Sequence, residues 1–298
     1  LFARTMEILI LNGLINGLIV GGVYALIGLS LTLLYGVLRI VNFAHGEFVI
    51  GGSFLAYVLF NSLGIAPLLA LPLAAVAFFA AGWGAYYVLI PRLARSDDPE
   101  NMSFLMMYGL SIALAAVMLL IFEADSRSID YAFSPISMKV GAIYVSTARI
   151  VAFGVTVVIS LALSWFLYRT LPGKALRATI MNREAIQIVG VDVEQLSALA
   201  FALAAGAAGA TGVLIALVFP AFNAFSGAEY SIIGFIVVVL GGLGNPIGAL
   251  IAGIVYGLAE QLATVFLPQA LAQIVGFAIL VGTILVRPTG ILGWRAQR

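Results

Sequence analysis

Arg169–Gln195, RTLPGKALRATIMNREAIQIVGVDVEQ, is the longest strongly polar segment between the long apolar runs of this chain. It carries seven of the 27 charged residues in the sequence, namely Arg169, Lys174, Arg177, Arg183, Glu184, Asp192 and Glu194. So much charge does not belong in the hydrocarbon core of a bilayer. We therefore expect a loop in water that meets another molecule, and the apolar runs around it decide the fold.

The composition indicates a membrane protein. Hydrophobic residues make up 63% of the 298 residues, charged residues 9%, and the mean hydropathy is +1.16. One helical span takes about 20 apolar residues, and the runs are continuous rather than alternating, which disfavours a β-barrel. We predict an all-α polytopic protein with about eight to ten transmembrane segments, forming one transmembrane domain over residues 1–298. The net charge of +1 gives no sign of nucleic-acid binding.

The first apolar run, Ile8–Val37, is longer than a simple span requires. Gly21, Gly22 and Gly28 either break it or let another helix approach closely. Polar segments separate the later runs, which are Phe43–Phe60, Ala66–Ile90, Met102–Phe122, Arg149–Tyr168, Leu196–Phe219, Tyr230–Leu240, Ala249–Phe266 and Ala270–Val286.

The distribution of Lys and Arg predicts the orientation. Grouping the loops alternately puts ten of these residues on one side and four on the other. Because basic residues accumulate on the inner side, we expect the 169–195 loop and the C-terminus in the cytoplasm. The 123–148 loop then lies outside. This count gives nine crossings with the N-terminus outside, and a broken first run or a re-entrant piece near 230–245 changes that number by one.

The 169–195 loop has its own local signals. Pro172 and Gly173 are predicted to end the preceding span, and Lys174–Met181 to form a short helix. Asn182 then caps a second helix, Arg183–Val189, which Gly190 ends. Asp98 followed by Pro99 and Asp192 followed by Gln195 predict two more helix starts. Such a loop is either a docking surface or an ordinary positive-inside loop.

Catalytic chemistry finds little support in the sequence. The chain has one histidine and no cysteine, so we expect no catalytic residues and no metal site. Lys174 follows a glycine, but no GxxxxGK[ST] phosphate loop surrounds it. We expect no cofactor, and any ATP that drives this protein must bind to another chain.

Several polar residues within or beside apolar runs are candidates for a translocation path. Asn12 and Asn16 share one helix face and either line the path or hydrogen-bond to a neighbouring helix. Glu260 is an intramembrane carboxylate, hence a functional hypothesis, unless it is hydrated at the outer interface. Gly242 and Gly244 interrupt an apolar segment, as in a broken transporter helix or a tight cytoplasmic turn.

Two further residues carry alternatives. His45 and Glu47 follow the first run on the inner side, where they form a gate or proton site, or an interfacial turn whose polar groups satisfy helix ends. We place Glu229 at the outer surface. An internal repeat is a further hypothesis, because Asn42–Phe60 and Gly244–Leu262 both open with an asparagine turn and continue into a glycine-rich apolar run.

The 184–190 segment, EAIQIVG, resembles the EAAxxxG loop of ABC-importer permeases, with Ile186 replacing the second alanine. Leu18–Phe48, Leu171–Val193 and Val238–Glu260, including "NFAHGE" and "GGLGNPIGA", resemble permeases of the branched-chain amino-acid (Liv-type) ABC importers. The resemblance implies that residues of the loop contact an ATPase subunit: Arg177, Asn182, Arg183, Glu184, Ala185 and Gly190.

The resemblance also implies the function and its partners. It implies a permease subunit of an ATP-driven importer for branched-chain or other hydrophobic amino acids, in the bacterial cytoplasmic (inner) membrane. The implied partners are a second similar permease, two cytoplasmic ABC ATPase subunits and a periplasmic or extracellular solute-binding protein, besides the lipid bilayer. Related permeases for urea or short-chain amides remain an alternative. A stand-alone secondary transporter or channel using Glu260 or Glu47 is the rival class.

Overall fold

The computed structural model describes residues 2–93, 96, 98–130, 137–140 and 143–293. Most of these residues are helical. Two short antiparallel strands, β1 (Ser137–Val140) and β2 (Ile143–Ser146), form a hairpin that the sequence did not predict. The helices are α1 (Phe2–Leu38), α2 (His45–Leu63), α3 (Pro67–Leu93), α4 (Pro99–Phe122), α5 (Thr147–Arg169), α6 (Leu171–Met181), α7 (Arg183–Ile188), α8 (Val193–Val218), α9 (Ser226–Gly241), α10 (Pro246–Ala263) and α11 (Gln269–Val286).

Seven of the described helices, α1–α5, α8 and α10, are long and apolar enough to cross a membrane. The described residues also contain two shorter apolar helices, α9 and α11. The prediction of a polytopic helical membrane protein with about eight to ten segments is confirmed. Apolar side chains on α3, α4, α5 and α11 point outward, as expected where a helix meets lipid rather than water.

The two most buried helices, α1 and α8, form the centre of the bundle. α1 is unbroken, and its glycines bring another helix close: a Cβ atom on Gly257 of α10 would lie 2.3 Å from the Cα of Gly21. α8 meets α3 in the same way, since a Cβ atom on Gly82 would lie 2.6 Å from the Cβ of Ala205. Backbone-to-backbone packing thus holds both central helices in place.

Polar segments gather at two opposite ends of the bundle. One end holds the last residues of α1 and α3, the helices α6 and α7, and the turn between α9 and α10; we call it the coupling end. Gly244 in that turn lies against Ile180 of α6, and Arg39 donates a hydrogen bond to the Ile180 carbonyl oxygen. The opposite end holds the β-hairpin and the pairing of Arg127 with Phe222.

Two helices begin inside the bundle rather than at its ends. After α1, Arg39 turns the chain with a φ of +59°, and residues 39–44 return from the coupling end to the start of α2. At that start, His45 contacts Ser30, which lies about 12 Å along α1 from its last residue. α9 likewise follows the non-helical residues 219–225 and is only about 24 Å long.

The helices α1–α4 and α8–α11 form an inverted repeat. α1 packs on α10 as α8 packs on α3, and α2 packs on α8 as α9 packs on α1. α1 runs toward the coupling end whereas α8 leaves it, so the halves have opposite directions. Asn42-Phe-Ala-His-Gly46 and Asn223-Ala-Phe-Ser-Gly227 occupy matching positions before α2 and α9. The predicted pairing of 42–60 with 244–262 was wrong, because α10 starts at the coupling end and α2 does not.

Candidate translocation and coupling sites

The first turns of α2 and α9 meet inside the bundle. The backbone N–H of Gly46 donates to Ser231 Oγ at 2.9 Å, and that hydroxyl donates to the Phe43 carbonyl oxygen at 2.6 Å. A Cβ atom on Gly46 would lie 1.9 Å from the carbonyl oxygen of Gly227, so only glycine fits there. Each helix start is preceded by an asparagine whose side-chain oxygen accepts a backbone N–H two residues later. We call this contact the α2–α9 crossing.

The crossing buries polar side chains that lack partners. His45 is fully buried, and its Nε2 lies 2.9 Å from Ser30 Oγ. Because that hydroxyl already donates to the Ile27 carbonyl, His45 Nε2 carries the hydrogen and Nδ1 is a bare acceptor. Glu47 is 4% exposed, and Ser111 donates to its Oε1 at 3.3 Å. Among the described residues, His45 Nδ1, Glu47 Oε2 and Asn42 Nδ2 have no hydrogen-bond partner.

The prediction of an interfacial turn at His45 and Glu47 was therefore wrong. The chain re-enters the bundle after α1. No local sequence signal in residues 39–48 predicts this re-entry. Buried polar groups are normally paired, and unpaired ones call for an explanation such as bound water or a functional role. The alternative of a gate or proton site at these residues stays a hypothesis.

A cavity opens between α9, α10 and α11. Its volume is about 310 Å³, and it is lined by Glu229, Ile232, Ile233, Tyr256, Gln273 and Phe277. Gln273 Nε2 donates to Glu229 Oε1 at 2.5 Å. The floor is the ring of Tyr256, which fits because the residue facing it, Gly276, has no Cβ atom. We call this the α9–α11 pocket.

Glu229 was predicted at the outer surface. The residue is exposed, and its level relative to the membrane stays a prediction. It lies in the first turn of α9, about 18 Å from the last residue of that helix at the coupling end. Its level in the bundle follows from the crossing, since Gly227 contacts the carboxylate of Glu47. Gln273 and Tyr256 were not predicted from the sequence. The available signal was a pair of polar residues, Glu229 and Gln273, beside two apolar runs.

Glu260 lies one turn beyond Tyr256 on α10 and is only 4% exposed. Its carboxyl interacts with the side chain of Tyr24 on α1, while Oε2 has no partner among the described residues. The rings of Tyr24 and Tyr256 pack with centroids 5.5 Å apart. Glu260 is therefore behind the pocket floor, and its part in a translocation path stays a prediction.

The remaining predicted path residues lie elsewhere. Asn16 donates from its side chain to Asn12 Oδ1 and accepts a 3.0 Å hydrogen bond from Arg149 of α5. Gly242 and Gly244, with φ of +101° and +77°, form the tight turn between α9 and α10 at the coupling end. Neither pair lines the α9–α11 pocket, and their part in a translocation path stays a prediction.

The 169–195 segment folds into α6 and α7. α6 begins at Leu171, so Pro172 and Gly173 start this helix rather than merely ending α5, and Thr170 caps it by accepting the N–H of Gly173. Leu176 is fully buried and anchors α6 against α1 and α5. Arg177 does not project freely, because its guanidinium lies 3.9 Å from the ring centre of Tyr168.

α7 is capped at both ends, and most of its side chains are exposed. Asn182 Oδ1 accepts the Ala185 N–H at 3.0 Å, and Gly190 ends the helix at φ +82°. The N–H groups of Gly190 and Val191 bond to the carbonyls of Gln187 and Ile186, which is a Schellman motif. The side chains of Arg183, Glu184 and Ala185 are exposed, and Ile188 is 86% exposed. Such an apolar tip on a rigid helix can dock against another protein.

The inverted repeat, the half-helices that meet inside it and the capped segment at one end define a multi-pass membrane transport protein. Residues 13–284 match the family model described as branched-chain amino acid transport system / permease component. The chain belongs to this family. It is accordingly a transport component rather than an enzyme.

Curated relatives agree with the family match. The chain is 30% identical over 295 residues to the high-affinity branched-chain amino acid transport system permease protein BraD of Pseudomonas aeruginosa, covering 95% of each protein. It is 28% identical to the corresponding LivH protein of Escherichia coli K12, again over 95% of each. A probable LivH permease of Methanocaldococcus jannaschii is 30% identical, over 96% of this chain and 93% of that protein. No solved structure matches the chain.

Proposed function

We propose that this chain is the membrane-spanning permease subunit of an ATP-driven importer for branched-chain and other hydrophobic amino acids. The family supports a transport component, and the names of its relatives supply the solute class. The observation that carries the ATP coupling is α7, a short helix capped at both ends that leaves Glu184 and Ile188 exposed. In this proposal, the chain itself does not hydrolyse ATP.

The capped segment transmits force because it is tied to the transmembrane helices. Arg183 donates to the Val37 carbonyl at the end of α1, and Arg39 donates to Ile180 at the end of α6. A push on α7 from an ATPase subunit therefore reaches α1, which is one of the two central helices. We assign Arg177, Asn182 and Arg183 to holding this lever, and Glu184, Ala185 and Gly190 to its surface.

The complete importer contains two permeases, two cytoplasmic ABC ATPases and a solute-binding protein that docks at the opposite end. The coupling end and the C-terminus face the cytoplasm of a bacterium, in line with the excess of basic residues there. ATP hydrolysis in the partner subunits drives alternating access, and the solute passes between the two permeases.

The proposal is tested by purifying the tagged chain together with its co-purifying proteins and measuring ATPase activity in lipid discs. We expect two ATPase subunits to co-purify and leucine-loaded binding protein to stimulate hydrolysis. Competition by valine and isoleucine, and none by urea or acetamide, would separate the amino-acid importer from the amide alternative. Co-purification of no ATPase would overturn the proposal.

Charge reversal at the coupling end gives a sharper test. Glu184→Lys is expected to lose most ATPase association and uptake, because it places a cation on the docking surface. Glu123→Lys, a reversal of another exposed carboxylate at the opposite end, is the matched control and should retain association.

The buried carboxylates favour a second candidate, a secondary transporter that couples through Glu260 or Glu47. Uptake that survives Glu184→Lys, is independent of ATP, and disappears in Glu260→Gln would establish that class instead.

A further inference from the structure

We propose that the α9–α11 pocket is the solute-binding subsite, in which the Glu229 carboxylate holds the ammonium group of an aliphatic amino acid. The inference rests on the proposed function and adds the residues that recognise the solute. Ile232, Ile233 and Phe277 receive the aliphatic side chain, and the Gln273 amide donates to the solute carboxylate when it turns from Glu229.

The position of Glu229 supports a role in solute binding. Glu229 is exposed, and its exposed neighbours Ile232 and Phe277 are apolar. It lies about 18 Å along α9 from the last residue of that helix at the coupling end. A carboxylate that faces lipid at this depth is strongly unfavourable, so such residues face a water-filled path or a partner. This side of α9 and α11 therefore borders the path.

The residues that line the α9–α11 pocket match the chemistry of an aliphatic amino acid. Glu229 is the one charged residue among those that line the cavity, and three of the remaining five are purely hydrocarbon. Binding sites for small molecules combine apolar walls with a few polar groups that fix orientation. One carboxylate beside an apolar wall selects a molecule with a cationic and an aliphatic part. It does not suit urea or a short amide, which carry no cation.

The size and rigidity of the pocket suit a small solute. Its volume of about 310 Å³ is near the lower limit of small-molecule pockets, which span roughly 300–1,000 Å³. The floor is rigid, because Tyr256 is almost completely buried and wedged between Tyr24 and the bare backbone of Gly276. A rigid floor with a flexible polar rim suits a solute that binds briefly and leaves.

Cysteine protection tests the pocket directly, because the chain has no cysteine of its own. Phe277→Cys is introduced into the purified importer in lipid discs, and its rate of reaction with a thiol reagent is measured with and without leucine. We expect leucine to slow the reaction. Isocaproate, which has the same aliphatic skeleton without the ammonium group, is expected to give no protection.

Glu229→Gln in the Phe277→Cys background should raise the leucine concentration needed for half-protection at least about tenfold, because a hydrogen bond to a charged group is lost. Ile274→Cys, exposed on the same helix outside the pocket, is the matched control and should not be protected. If Glu229→Gln does not assemble, Glu229→Asp keeps the charge and should still give protection, at a higher leucine concentration.

The outcomes separate the two proposals. Unprotected Phe277→Cys in a complex with leucine-stimulated ATPase activity would overturn the pocket and leave the proposed function intact. Protection that is unchanged by Glu229→Gln would do the same. A complex in which leucine neither stimulates ATP hydrolysis nor enters vesicles would overturn the proposed function itself.

Discussion

The close contact at the α2–α9 crossing depends on single atoms. Gly46 and Gly227 let two helix starts meet at a distance that no side chain allows, and Ser231 ties both segments with one hydroxyl. The same contact brings the carboxylate of Glu47 to the first turn of α9, where the helix dipole favours negative charge. The glycines are therefore required by close approach and not by backbone conformation.

Gly46→Ala tests this contact. The new methyl group would lie 1.9 Å from the Gly227 carbonyl oxygen, so the helices must shift, and we expect a loss of stability of about 1–3 kcal/mol or more. Thermal unfolding in mild detergent measures the effect. Gly109→Ala on α4, where a Cβ atom meets nothing within 4 Å, is the control and should be neutral or slightly stabilising. Equal unfolding temperatures for the two variants would contradict the assigned role of Gly46.

At the scale of the helix, local signals were sufficient wherever the structure depends on near neighbours. Asn182 caps α7 and Asp98 caps α4 as their sequences predict, because a cap involves residues within a few positions. The start of α6 was misplaced by three residues, since proline and glycine are tolerated in a first turn as well as after a last one.

The levels of helices in the bundle were not predictable in this way. Hydropathy gives the length of a run but not the depth at which it starts. His45 was assigned to an interfacial turn because it borders an apolar run, and its contact with Ser30 of α1 places it inside the bundle. The pocket joins residues of three helices, and its geometry comes only from their packing.

Removing the cap of α7 tests whether this helix acts as a lever. Asn182→Ala deletes the side-chain acceptor of the Ala185 N–H and should cost about 1 kcal/mol of helix stability. Because α7 has six residues, we expect it to fray, and ATPase association to weaken severalfold while the unfolding temperature of the bundle changes little. Asp98→Ala removes the equivalent cap of α4 at the same end and is the control for association. Loss of association in both variants would point to a general disturbance of the coupling end.

At the scale of the whole molecule, the inverted repeat explains the form of the protein. Each half supplies a long central helix, α1 or α8, a half-helix that starts inside, α2 or α9, and two outer helices. α5, α6 and α7 join the halves. The half-helices therefore meet at the pseudo-two-fold axis, and the connection between the halves becomes the coupling segment. The α2 and α9 halves differ in their polar contacts, Glu47 with Ser111 and Glu229 with Gln273. The second contact lies at the α9–α11 pocket.

The arrangement predicts a definite pattern of access from the two sides of the membrane. Single cysteines introduced by Glu184→Cys at the coupling end and by Tyr144→Cys at the opposite end are both expected to be well exposed. In intact cells, a thiol reagent that does not cross the membrane should label the variant at 144 and leave the variant at 184 unreacted until the membrane is opened. Glu47→Cys is the buried control and should resist the reagent on both sides. Labelling of the variant at 184 from outside would reverse the orientation and remove α7 from any cytoplasmic ATPase, so this measurement decides whether the lever can work at all.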